Sequence, residues 1–238
     1  MKKILIVIMS VALIGVGIGG VLMLLQTARD ELGLQEPINT EINLPEPKYD
    51  SNTSVEQALF ERRSVREYKD EPLTLTEVSQ LLWAAQGITD AGRGLRTAPS
   101  AGALYPLEVY VVMGNVVGAA QGVYKYKPHE HKLVKVKVGD VRDELTLAAH
   151  GQTWVGKGAI VIVFSAVYER TTRKYGDRGI KYVYTEAGHA AQNVFLQTVS
   201  LDLGTVVVGA FVDEEVRKIL NMPDEEHPLY IMPVGKMD

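Results

Sequence analysis

Apolar positions along this chain recur at helical spacing, then at strand spacing, and then at helical spacing again. Thr53 or Ser54 can cap a first helix that carries Val55, Ala58 and Leu59 on one face and stops near the arginines at 62 and 63. Thr74 and Glu77 form a capping-box pair ahead of a second helix, with Leu75, Val78, Leu81, Leu82 and Ala85 inward and Gly87 at its end. LEVYVVM (107–113) reads as a strand, and VYKYK with KLVKVKV as a hairpin whose lysines face water. A short helix starts at Asp140, and AIVIVFSA (159–166) reads as a strand buried on both faces. The longest helix covers about residues 179–201, its stripe being Ile180, Val183, Tyr184, Ala187, Ala191, Val194, Phe195, Thr198 and Leu201. Gly188 interrupts that helix at a cost of about 1 kcal/mol relative to alanine. A glycine there serves the close approach of another backbone, a ligand or a neighbouring helix. TVVVG (205–209) supplies a strand, Asp213 caps a last helix, and LYIMPV closes the core. Helices and strands mix without a βαβ period, which predicts an α+β fold.

The first residues follow another pattern. Lys2 and Lys3 precede an uncharged apolar run from Ile4 to Leu25, and about 20 such residues suffice to span a bilayer. Its end offers no small-residue cleavage site, so residues 1–26 are expected to form an uncleaved transmembrane anchor, with a cleaved signal as the alternative. Gly15 and Gly19 make a GxxxG that suits helix packing. The two lysines place the N-terminus in the cytoplasm and the body outside. Residues 27–52, polar and bearing Pro37, Pro45 and Pro47, read as a tether or surface strap. Residues 53–238 form the folded domain.

Composition then narrows the chemistry. The 238 residues carry a net charge of −4 with no long basic run, which argues against a nucleic-acid partner. No cysteine is present, so thiolate catalysis and cysteine-held metals are excluded. The sequence lacks a GxGxxG after a strand, a GxxxxGK[ST] and a GxSxG. His129 and His131 form a two-histidine tip better suited to a solvated turn than to a metal, and no metal site is expected. What remains is ERRSVREY (61–68), which crowds Arg62, Arg63 and Arg66 around Ser64. The bland reading is a solvated charged face; the chemical one is an anion, because the guanidinium fork matches a phosphate bidentately. Two small-residue segments, APSAGALYP (98–106) and VVVGAF (206–211), suit the close approach of a flat ligand to backbone.

Seven blocks in order carry a resemblance: RRSVREY, LLWAAQGIT, RTAPSAGALYPLEVYVV, KYGDRG, EAGHAAQNVFLQ, LGTVVVGAF and PLYIMPVG. They resemble the nitroreductase-like flavoproteins, and most closely their SagB-type dehydrogenase branch. The resemblance implies a mixed sheet flanked by helices, a homodimer, and FMN bound at the subunit interface. It implies that Arg62, Arg63, Ser64 and Arg66 hold the phosphate and ribityl chain. Pro99, Ser100 and Ala101 would lie against the ring, with Gly209 and Ala210 near its N5 edge, where hydride transfers. Within that branch an adjacent Lys–Tyr pair is associated with dehydrogenating thiazoline or oxazoline rings of modified peptides, and Lys174 with Tyr175 matches it. A small-molecule substrate with NAD(P)H as donor is the other course implied. Many relatives have asparagine where this chain has Ala103. A binding module that tethers flavin at the membrane, or has lost it and serves as a scaffold, is the competing reading.

Overall fold

The structure, a computed structural model, describes residues 41–237. Its centre is a seven-stranded sheet in the order β1-β8-β7-β5-β9-β11-β10. The strands are β1 (Glu41–Asn43), β5 (Leu107–Met113), β7 (Gly122–Lys127), β8 (Lys132–Val138), β9 (Ile160–Ala166), β10 (Leu203–Thr205) and β11 (His227–Lys236). Every neighbouring pair in it is antiparallel. The expected mixed sheet is thus corrected: parallel pairing is confined to a separate ribbon of β2 (Leu73–Thr74) and β6 (Val116–Val117). Short connections such as the β7–β8 hairpin allow only antiparallel neighbours.

Alternation along the central strands builds two cores. Val109, Val111 and Met113 of β5 and Ile160, Ile162 and Phe164 of β9 face α2 (Leu75–Gln86) and α6 (Arg178–Ser200). Tyr110, Val112, Val161 and Val163 point the other way, onto Val141 and Leu145 at α3 (Arg142–Ala148) and Val216 of α7 (Asp213–Ile219). The capping box expected at Thr74 and Glu77 is present, with Glu77 N–H donating to Thr74 Oγ1 at 3.2 Å and Thr74 N–H to Glu77 Oε2 at 2.7 Å. Ser54 caps α1 (Val55–Glu61) by accepting from Gln57 N–H at 3.1 Å.

Several expectations are corrected. Val55 and Leu59 of α1 are 65% and 55% exposed, beside Phe60 at 78%; only Ala58 of that helix is buried. Ile180 and Tyr184 of the α6 stripe are also exposed. TVVVG is mostly not strand: β10 ends at Thr205, and beyond it Val208 forms one bridge to Ile231. The last helix is capped by Val212, not Asp213. His131 is no solvated turn residue. Its Nε2 lies 2.7 Å from Ser79 Oγ and its Nδ1 2.8 Å from Tyr126 Oη, clamping the strap beside Pro45.

The membrane anchor is corrected as well. Among the described residues no helix is long and apolar enough to cross a membrane. The apolar run at 4–25, on which the anchor was expected, lies outside the described residues. The single-pass, extracytoplasmic localisation is withdrawn with it.

After α1 the arginine segment runs along the β10–β11 edge, Val65 N–H donating to Thr205 O at 2.9 Å and Lys69 N–H to Lys236 O at 3.0 Å. Glycine admits it: a Cβ on Gly204 would sit 2.6 Å from Val65 Cγ1. Gly204→Val is therefore expected to cost about 1–3 kcal/mol in urea unfolding by overpacking. Adding Val65→Ala should restore part of that loss; an unchanged midpoint in Gly204→Val would refute the contact.

Candidate active site

The loop after β4 (Leu95–Arg96) is held in a conformation that side chains resist. Gly102 has φ +66, and Ala103 and Tyr105 follow at φ 53 and 46, in the left-handed region that non-glycine residues seldom occupy. Such strain persists only where surroundings fix it. Here Ala103 N–H donates to Ser100 O at 3.0 Å, Tyr105 N–H to Ser100 Oγ at 2.9 Å, and Arg170 Nη1 to Tyr105 O at 3.1 Å. Lys174 and Tyr175, the last turn of α5 (Glu169–Tyr175), reach over this loop. A Cβ on Gly102 would lie 2.8 Å from Tyr175 Oη and 2.9 Å from Lys174 Nζ. Lys174, Tyr175, Ser100 and Ala101 therefore share one place, with Pro99 exposed at its rim.

The arginines occupy another. Arg62 lies over the Phe195 ring at 5.2 Å and Arg66 over Trp154, in the short helix α4 (Trp154–Lys157), at 5.5 Å. Stacking uses the guanidinium faces and leaves the N–H edges for an acceptor. Arg63 turns back to donate to Phe60 O and Arg62 O, closing α1. Ser64 is exposed. Among the described residues no carboxylate forms an ion pair with Arg62, Arg63 or Arg66. The buried indole N–H of Trp154 also finds no acceptor there. The Ala210 carbonyl accepts at 2.9 Å from Nε2 of Gln152, two residues ahead of Trp154 in the chain. Gly209 opens onto a cavity of about 450 Å³ walled by Tyr168, Tyr184, Phe211 and His227.

Helix α6 separates the two places. At about 100° per residue, Ile180, Tyr184 and Phe195 share one flank of its buried face, and Tyr182 and Glu186 share the other. Tyr182 meets Tyr175 edge-on at 5.1 Å. Glu186, 2% exposed, faces Ser100 and Arg96, and its Oε1 has no hydrogen-bond partner among the described residues. Burial pushes its carboxyl up to about 7, against the opposing pulls of the Ser100 hydroxyl and the Arg96 guanidinium. Arg96 stacks on Tyr105 at 4.5 Å and donates to Gln86 Oε1 at 2.9 Å. Sequence reading missed Glu186, Arg96, Trp154 and Phe195. Two left a signal in the long helix: Phe195 within its apolar stripe, and Glu186, a carboxylate one position from the stripe's Ala187.

Gly102→Ala adds a methyl at left-handed φ, where an L side chain costs about 1–2 kcal/mol, and crowds Lys174 and Tyr175. The variant should melt lower in thermal unfolding; an unchanged melting temperature would show that the loop is not held at Gly102.

The chain matches the model of the nitroreductase family over residues 59–236. It is 53% identical over 196 residues to a Methanocaldococcus jannaschii protein named "Putative nitroreductase", covering 82% of this chain and 96% of that one. It is 28% identical over 155 residues to the microcin B17-processing protein McbC of Escherichia coli, covering 63% of this chain and 57% of McbC. A crystal structure of a "putative nitroreductase" from Ralstonia eutropha JMP134 superposes with a TM-score of 0.74 at 29% identity, over 86% of this chain and 92% of that one. With a strained loop, a stacked arginine edge and a family match across most of its folded residues, this chain belongs to the nitroreductase family of oxidoreductases.

Proposed function

We propose that the chain is an FMN-dependent oxidoreductase. The observation that carries the reading is the arginine edge: Arg62 and Arg66 stack on aromatic rings, have no carboxylate ion pair among the described residues, and lie on a segment pinned to Thr205. These donors, with the unpartnered Trp154 N–H, fit a phosphate. Arg62 and Arg66 would hold that phosphate, with Arg63 and Ser64 at the ribityl chain. Pro99, Ser100 and Ala101 would orient the ring, while Gly209 and Ala210 leave its reacting edge uncrowded. When bound, FMN supplies two-electron hydride chemistry. The chain supplies binding and orientation, with the side chains of Lys174 and Tyr175 above the loop as candidate proton-transfer groups.

The ring loop and the arginine edge lie on opposite flanks of α6. Two copies of the chain bring them together, so the active form is a homodimer. Between the flanks runs the exposed stripe Lys181, Thr185, Gly188 and His189, and among the described residues nothing beyond the adjoining turns of α6 lies within 4 Å of where a Gly188 Cβ would be. A second copy's helix crosses there.

A second reading, dehydrogenation of a ring in a modified peptide, is favoured by one observation. Lys174 and Tyr175 meet the loop at Gly102, and McbC, named for processing a microcin, is a relative. Reduction of a small molecule by NAD(P)H is the alternative course for the same site, and turnover of a nitroaromatic or quinone with NADPH would favour it.

Purified full-length chain incubated with FMN should give a bound-flavin absorption spectrum. Arg62→Ala and Arg66→Ala should each weaken FMN about tenfold to a hundredfold, as losing a charge-assisted hydrogen bond does, with folding intact by circular dichroism. Flavin retained at full affinity in the double variant would overturn the phosphate assignment. By light scattering the chain should be a dimer, and Gly188→Phe should lower both dimer fraction and FMN uptake; a monomer that binds FMN normally would contradict the two-copy site.

A further inference from the structure

We infer that Glu186 is the proton-holding residue behind the ring loop, a positioning residue that acts on the bound ligand through the Ser100 hydroxyl. The inference rests on the proposed flavin site and adds that the reaction there transfers a proton through the buried face of the loop. Three observations meet at this carboxyl. It is 2% exposed, so it sits out of solvent's reach. Its Oε1 has no partner among the described residues, although a carboxylate fixed for structure alone is normally bonded at both oxygens. Ser100 faces it from the loop that carries Gly102, against which Lys174 and Tyr175 rest.

The Ser100 hydroxyl is set up as a relay. Its oxygen accepts from Tyr105 N–H at 2.9 Å, which fixes the side chain and leaves its own proton to donate. With a ligand bound, the Ser100 oxygen would take a proton from it as the hydroxyl's own proton moved to a Glu186 carboxylate oxygen. That would leave Ser100 unchanged and Glu186 neutral; the reverse would deliver one.

The neighbouring charges suit the task. Arg96 on β4 faces Glu186, and Arg170 lies beyond it across Tyr105. Lys174 and Tyr175 come from α5, Tyr182 and His189 lie within about one turn on α6, and α2 brings Glu77, which is held by Lys236 at its far end. Burial outweighs Arg96 and brings the carboxyl to about 7, where it gives and takes a proton at neutral pH.

Infrared titration of the full chain, with and without FMN, should show a carboxyl ionising near pH 7 that is missing in Glu186→Gln. In spectroelectrochemical titration of the FMN-loaded chain, the plot of midpoint potential against pH should change slope at the same pH. That break should vanish in Glu186→Gln and move in Glu186→Asp, which also serves if the glutamine variant fails to fold. Ser100→Ala should keep the break but slow flavin reduction by about a hundredfold and enlarge its solvent isotope effect. If FMN binds and the titration persists in Glu186→Gln, or the break is absent from the wild type, Glu186 is structural and the inference falls alone. A chain that binds no FMN overturns the inference together with the proposed function.

Discussion

The contact on which the rest depends is that of α6 with one face of the sheet. Val183, Ala187, Ala190, Ala191 and Val194 are all buried there, with Leu81, Leu82 and Ala85 of α2 beside them. Mostly small side chains bring the helix close to β5 and β9, and each buried valine contributes about 1.5–3 kcal/mol. Once the stripe is fixed, the rotation of the helix is fixed, and with it everything on the flanks. Phe195 becomes a platform for Arg62 on one side. Glu186 and Tyr182 are turned toward the loop and α5 on the other.

The same packing accounts for buried charge. Glu186 stays in the core as an incompletely bonded carboxyl beside Arg96, an expensive arrangement that apolar residues would avoid. Elsewhere the fold treats burial differently. Glu226 accepts from Tyr110 Oη at 2.9 Å and Ser165 Oγ at 3.0 Å and pairs with Lys125, which also meets Glu108 at 3.1 Å. That network is closed and reads as structure. The contrast singles out Glu186.

Much of the fold was legible because it follows from local rules. The capping box at Thr74 and Glu77, the stop at Gly87, and the runs of β5 and β9 are decided by nearest neighbours and by strand alternation. What misled was apolar surface without a local partner. Val55, Leu59, Ile180 and Tyr184 repeat at helical spacing yet lie open; spacing reports which face is apolar, not whether this chain covers it. His131 misled in the opposite way, because its partners, Ser79, Tyr126 and Pro45, are distant or lie across the hairpin.

By itself the sequence determined the α+β class, most of the elements, and the residue types that suit a phosphate and a flat ring, since propensity, capping and side-chain chemistry are local properties. The tertiary structure decided which of them meet. It brought Ser100, Gly102, Lys174 and Tyr175 together, buried Glu186 behind them, and put the arginines on the far flank of α6. Those outcomes depend on the rotation of one helix against a sheet, which is set by packing among residues far apart in the chain.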